Sequence, residues 1–388
     1  MILAQDGWGP TNKIKRGLRE GVVEGVIFCP KTNSKSKSKD RINNFLESFE
    51  DEFFLFDPHF YATVISTDRS GKLESHSYYQ NLNPADFTAS EIQARVGETL
   101  EFQRRCGLNR VVSPGLIINN FNDRYSQINS QLFAESVDKT EGGENLFVCL
   151  PISEEALKDE EKMDSFLSEV TRLNTDGFYL FVERSSYSSL QWSNPRTLSN
   201  LMYLVYVLSS QGYSVVVGYI DVVGLLLLST GANFIANGWY RTQRQYTRRR
   251  YEERGVGRPP RLEYTSPHLL NSIYVEDELK PISELGFLDE VVANNKISQK
   301  LKEGSLPEEW TREDFMLNHW SVLHNMSQKV ADKKNVDNKL DWMKGRISSA
   351  QSLYSKLKKE GINFDTKTNE RHLQVWKEAI ALFQSKER

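Results

Sequence analysis

Cysteine is scarce in this 388-residue chain: Cys29, Cys106 and Cys149 stand far apart, with no CxxC and no Cys/His pair at ligand spacing. That argues against a disulfide scaffold and against a structural zinc. Long apolar runs are missing as well. The longest, Val222–Leu228 around Gly224, falls far short of the roughly 20 residues a membrane span needs. The opening MILAQDGWG carries no basic stretch of the kind that begins a signal peptide, so a soluble cytoplasmic protein with no membrane contact is expected. There is no GxGxxG, Walker loop, GxSxG or HExxH, and no HxH closes the first strand. These absences remove the sequence signatures of dinucleotide folds, P-loop enzymes, α/β-hydrolases and zinc proteases.

What is present is ample material for a core. The chain is 39% hydrophobic and 26% charged, which excludes wholesale disorder. The net charge of −3 conceals an asymmetry. Residues 241–388 hold 27 Lys and Arg against 22 Asp and Glu, leaving 22 against 30 in the first 240. An acidic first part and a basic remainder suggest units with different partners.

Eight short apolar runs recur through the first 240 residues: Ile2–Ala4, Val22–Phe28, Phe53–Phe56, Val111–Ile118, Leu146–Leu150, Gly177–Val182, Ser214–Ile220 and Ala232–Ala236. Helical patterns separate them at Thr11–Glu20, Arg41–Phe49, Ser90–Cys106, Asp123–Val137, Ser153–Leu173, Pro195–Gln211 and Asp221–Ser229, several opening on Ser or Asp in the N-cap role. Eight strands alternating with helices over this length predict a (β/α)₈ barrel of the TIM type, with a doubly wound α/β sheet as the rival. The Pro259-Pro260 pair is a natural boundary. Residues 1–265 are therefore read as the barrel and 266–388 as an all-α domain, with helices at Ile282–Ala293, Thr311–Ala331, Val336–Lys359 and Glu370–Ser385.

A barrel of this kind carries its chemistry at the C-terminal ends of the strands. Those ends place Asp6 after strand one, Asp57 and His59 after strand three, and Glu183-Arg184 after strand six. Carboxylates held in different surroundings support general acid–base work, and an imidazole titrates where such work is done. Asp6, Asp57, His59 and Glu183 are the candidate catalytic residues. Asp221 reads as a helix N-cap, and Cys29 as an inert buried thiol. No metal signature stands out and no cofactor is evident, although two or three such carboxylates could hold a divalent ion such as magnesium.

The basic features lie on either side of strand one in a closed barrel. Lys31, Lys35, Lys37, Lys39 and Arg41 follow strand two, within a Ser-Lys repeat that reads as low complexity. After strand eight, eight arginines fall between Trp239 and Arg261, interleaved with Tyr240, Tyr246 and Tyr251. Arginine forks match phosphate, and tyrosine rings stack on bases. Lys31, Arg184, Asn237, Trp239, Arg241, Arg244 and Arg248 are the candidate substrate- and phosphate-binding residues.

The stretch GYIDVVGLLLLSTGANFIANGWYR, residues 218–241, resembles one region of the queuine and tRNA-guanine transglycosylases: a strand ending near Gly, a short Leu-rich helix, a Gly, a last strand and an Arg-bearing loop. The resemblance implies a barrel acting on a nucleobase in RNA. The family's nucleophilic aspartate would fall near Ile235–Asn237, where this chain has no carboxylate, and its zinc cluster has no counterpart, so no active-site residue carries over.

The leading expectation is an enzyme, of hydrolase or transferase type, acting on a nucleotide, nucleic acid or other phosphorylated sugar-containing substrate. A non-catalytic module that binds nucleic acid or protein through the Arg/Tyr segment and helices is the alternative. A carbohydrate-processing barrel, with Trp8 and Trp239 at its rim, comes third. The helical part offers faces for a protein partner or a homo-oligomer.

Overall fold

A computed structural model describes residues 1–7, 12–65, 70–185, 190–238, 240–252, 261–304 and 310–386. Trp8 and Trp239, both expected at the rim, lie outside the described residues.

Eight parallel strands form one sheet: β1 (Ile2–Gln5), β2 (Gly25–Phe28), β3 (Phe53–Phe56), β4 (Arg110–Val112), β5 (Asn145–Ser153), β6 (Gly177–Glu183), β7 (Ser214–Val217) and β8 (Phe234–Asn237). Their spatial order is β3-β2-β1-β8-β7-β6-β5-β4, so the first strand pairs with the last and the order runs cyclically. A doubly wound sheet would reverse its order at a switch point, and this one does not. The chain is a nearly closed (β/α)₈ barrel, with β3 and β4 side by side at the remaining gap but joined by no ladder. Its strands are short, apolar and buried on both faces, the pattern parallel sheets require.

The helices between strands are α1 (Asn12–Arg19), α2 (Lys35–Leu46), α3 (Ala89–Arg105), α4 (Arg124–Asp138), α5 (Glu160–Val170), α6 (Pro195–Ser210) and α7 (Gly224–Ser229). Side chains cap several: Thr88 accepts from Glu91 N–H, Asp123 from Ser126 N–H, and Asn194 from the first turn of α6, which opens on Pro195.

Several local expectations are corrected. The Ser-Lys repeat is not a loop but the opening of α2, because it leads straight into the buried Ile42 and Phe45. Strand four stops at Val112: Pro114-Gly115 interrupts the ladder, and Ile118 returns only as an isolated bridge to Ile152. Strand five runs on through Ser153, and the helix after it starts at Glu160 under an Asp159 cap. Asp221 does not cap α7, whose cap position is Val223. The helix expected at 282–293 breaks at Gly286, in the left-handed region at φ 79°, into α8 (Lys280–Glu284) and α9 (Leu288–Val291).

The region after the barrel is mainly helical, with α10 (Lys296–Lys302), α11 (Arg312–Ala331), α12 (Val336–Lys359) and α13 (Arg371–Lys386). It also holds an antiparallel hairpin that was not expected, β9 (Glu263–Ser266) with β10 (Asn271–Tyr274), straddling residue 265. These elements lie on the barrel wall. Trp320 of α11 fills the space beside Gly17 and donates to the Asn237 carbonyl, while α13 packs along α6 with Phe383 against Tyr206. One buried apolar core runs from the barrel into these helices. No helix among the described residues is long and apolar enough to cross a membrane.

Candidate active site at the barrel mouth

The C-terminal end of β3 carries a dense, buried polar cluster. Asp57 follows the last residue of the strand and is fully buried. Its Oδ1 accepts the backbone N–H of His59 at 3.0 Å. Its Oδ2 accepts three tyrosine hydroxyls: Tyr61 at 3.0 Å, Tyr179 of β6 at 3.1 Å and Tyr219 after β7 at 3.1 Å. Burial pushes the Asp57 carboxyl above its ordinary range, opposed by the His59 N–H, the nearby Arg250 guanidinium and the tyrosines.

His59 sits two residues on, also fully buried. Its Nδ1 lies 2.8 Å from the Tyr251 hydroxyl and its Nε2 3.1 Å from the Tyr219 hydroxyl. The network assigns the protons. Tyr219 gives its hydrogen to Asp57, so it accepts from His59 Nε2–H. Nδ1 is then bare and accepts from Tyr251. Burial, with Arg250 and Lys31 nearby, holds the imidazole well below its usual pKa, and it is neutral near pH 7. Tyr251, His59, Tyr219 and Asp57 thus form one hydrogen-bonded chain.

Two of its members are strained. His59 and Tyr219 adopt φ of 52° and 51°, a left-handed backbone that costs a non-glycine residue about 1–3 kcal/mol. Both sit just past strand ends, and each brings a hydrogen-bond donor to Asp57, the backbone N–H of His59 and the hydroxyl of Tyr219. Cys29 after β2 adds its thiol 3.4 Å from His59 Nε2. Burial raises that thiol to about 11, so it is protonated at neutral pH.

A short turn closes the mouth from above. After β8 the chain forms two single 3₁₀ turns, Arg241–Gln243 and Arg248–Tyr251, in which only Arg248 and Arg249 of the described arginines are well exposed. Tyr246 and Tyr251 point inward and are buried, with Tyr246 stacked among Tyr61, Phe181 and Tyr219. The Arg250 guanidinium lies 4.8 Å from the Tyr219 ring centre and 5.6 Å from that of Tyr246. Lys31 holds the turn from the β2 side: its ammonium donates to the Arg250 carbonyl and lies over the Tyr251 ring at 4.4 Å.

On the other side of the turn is an open cleft of about 450 Å³, lined by Glu154, Glu183, Arg184, Arg248 and Arg249 among others. Arg248 grips Glu183 with two nitrogens, the second at 2.9 Å, and reaches Asn119 at 2.8 Å. Arg184 is buried and committed to Glu154 at 3.2 Å, to the carbonyls of Leu190 and Gln191, and to the face of Trp192.

The remaining candidates lie apart from the chain of tyrosines. Asp6 turns toward α2 and meets Arg41 at 2.6 Å, with its Oδ2 unpartnered. Asn237 is buried with both side-chain polar atoms unpartnered. Arg241 pairs with Glu263 at 2.7 Å. Arg244 is buried beside Asp221 and donates to the Gly238 carbonyl. Of the four expected catalytic residues, Asp57 and His59 share one hydrogen-bond network, while Glu183 and Asp6 each pair with an arginine. Among the described residues no group of three or more His, Cys, Asp or Glu side chains is arranged to hold a metal ion.

Sequence reasoning missed the tyrosines as a set. Tyr179 and Phe181 alternate along β6 toward the barrel interior, a signal visible only once the inward face is known. No protein-family model matches the chain, and no curated protein matches it.

Proposed function

We propose that the protein is a barrel enzyme whose acid–base chemistry runs through Asp57, Tyr219 and His59, on a nucleotide, nucleic-acid or other phosphorylated sugar-containing substrate. One observation carries this reading. Two residues at the ends of different strands accept left-handed strain, and both deliver hydrogen-bonding groups to the same buried carboxylate. A core needs no such arrangement, since apolar side chains would fill the space at lower cost.

In this reading Asp57 is the proton acceptor, its basicity set by how many tyrosines remain bonded to it. Tyr219 relays between Asp57 and His59. Tyr251 leaves the mouth when substrate enters, and the exposed Arg248 and Arg249 line the cleft by which the phosphate approaches. The RNA base chemistry suggested by residues 218–241 falls within the same substrate class.

The test is turnover of 5′-nucleotides, sugar phosphates and short RNAs by wild type, Asp57→Asn and Tyr219→Phe. Loss of general acid–base catalysis costs about 10²–10⁴-fold. Asp57→Asn is expected to lose at least that much and Tyr219→Phe part of it, with folding intact by circular dichroism. An Asp57→Asn protein as active as wild type would refute the assignment.

A further inference from the structure

Among the described residues, the carboxylates around the Arg248–Tyr251 turn already have partners. Asp57 is saturated by the His59 N–H and three tyrosine hydroxyls, Glu183 is taken by Arg248, and Asp6 by Arg41. Arg250 is left over. Its Nε and Nη1 are out of reach of solvent and have no acceptor, and no carboxylate lies within ion-pair distance of it among the described residues. The hydroxyl of Tyr246, whose ring faces the same guanidinium, is also buried without a partner. A guanidinium fork and a phenol with three unpartnered donor atoms between them form the complement of a compact oxyanion with several acceptor oxygens. Burial of unused donors is costly, so native structures rarely leave them without a ligand or water to serve.

We propose that Arg250 and Tyr246 form the receptor for the substrate's phosphate group, held directly above the Asp57–Tyr219–His59 chain. The proposal rests on the enzymatic reading for the word substrate, but the binding itself does not. It also moves phosphate recognition from Arg241, Arg244 and Arg248 to Arg250. Glu263 and Glu183 occupy Arg241 and Arg248, and Arg244 is buried beside Asp221, away from the tyrosine chain. Thr247, Arg248, Arg249 and Glu252 of the same turn line the cleft, which gives the anion its approach.

Isothermal titration of the full chain with inorganic phosphate tests this directly, without need of turnover. Wild type is expected to bind one phosphate per chain. Arg250→Gln should weaken binding on the order of 10–100-fold, the worth of hydrogen bonds to a charged group. Tyr246→Phe should weaken it by less, and Asp57→Asn should leave a bound phosphate in place. Arg250→Lys keeps the charge and loses the fork, so it serves if Arg250→Gln does not fold; it too should bind phosphate more weakly. Phosphate affinity indifferent to both Arg250 variants would overturn the proposal, as would tight binding of acetate with none of phosphate. Absent turnover on every substrate alongside Arg250-dependent phosphate binding would sink the enzymatic reading and leave this one standing.

Discussion

Acidification should loosen the loop that supports the mouth, and His76 sets the amount. The ring is buried among Phe56, Tyr78 and Phe102. Its Nε2 lies 3.3 Å from the Asn33 carbonyl, two residues from Lys31, while its Nδ1 is buried with no partner. The neutral ring donates from Nε2 and leaves a bare Nδ1. Protonation places an N–H there with nothing to accept it. Burial accordingly lowers the pKa from 6.5 to about 4. A base whose folded pKa is depressed binds fewer protons folded than unfolded, so stability is complete above pH 6.5 and falls as pH drops. At pH 5 the loss is 1.5 pH units below the unfolded value, or about 2 kcal/mol, and it levels off at about 3 kcal/mol below pH 4. His59 and His319, also lowered by burial, act in the same direction, whereas the raised carboxyls of Asp57 and Asp6 act in the opposite one. The contribution of His76 is therefore isolated by difference. Urea unfolding of wild type and His76→Gln at pH 7.5 and pH 5.0 should show wild type losing about 2 kcal/mol more than the variant over that range. Equal losses, or a His76 ring titrating near 6.5 by NMR, would refute the reasoning.

Three further outcomes follow from individual contacts. Gly218→Ala would place a methyl 2.7 Å from the Tyr179 ring and 2.8 Å from its hydroxyl. It should push that hydroxyl off Asp57 and cost about 1.5–3 kcal/mol in a thermal melt, together with turnover. Gly25→Ala would set a methyl 1.9 Å from the Phe53 carbonyl oxygen, a backbone atom that cannot turn aside. A cost of about 3 kcal/mol, the upper end for overpacking, is expected in urea unfolding. Glu183→Gln removes the partner of a half-exposed arginine, so stability should stay within about 1 kcal/mol of wild type in the same assay.

The barrel was legible because its signal is repetitive. Eight apolar runs and their spacing identify the architecture even where boundaries shift, as at Pro114-Gly115 or at the Ser-Lys repeat that became helical. Asp57 and His59 were legible because a DPH tripeptide at a strand end is local information. The tyrosines were not, for a physical reason: Tyr61, Tyr179, Tyr219, Tyr246 and Tyr251 come from four separate stretches of chain and meet only through closure of the barrel. In sequence, Tyr246 and Tyr251 lie among arginines and suggest an exposed stacking surface. In the structure the same residues are buried, because the turn after β8 folds over the mouth and their rings fill it. Charge density along the chain therefore misjudged the exposure of the two tyrosines, while Arg248 and Arg249 between them are exposed. The hairpin β9–β10 was missed for a related reason, since Pro267 between two short β-rich stretches looks like a linker until α11 covers it.

The helices after residue 265 raise the question of whether they fold alone. Composition and secondary structure set them apart from the barrel, but burial does not: Trp320 of α11 is 1% exposed, and its ring fills the space that a methyl on Gly17 would enter at 3.1 Å. Its indole N–H ends on the carbonyl of Asn237, the last residue of β8. The residue that anchors a helix of the second region is thus packed on the first strand-helix unit and bonded to the last strand. A shared core of this kind couples the two regions, because neither can open without exposing the other's apolar face. Unfolding in urea should then be a single transition, with tryptophan fluorescence and far-ultraviolet circular dichroism coincident. Trp320→Ala should move that one transition by about 3–5 kcal/mol, the cost of deleting a buried tryptophan, rather than split it. Two separated transitions, or a Trp320→Ala effect confined to the later helices while the barrel signal stays put, would show that the regions are independent units in contact.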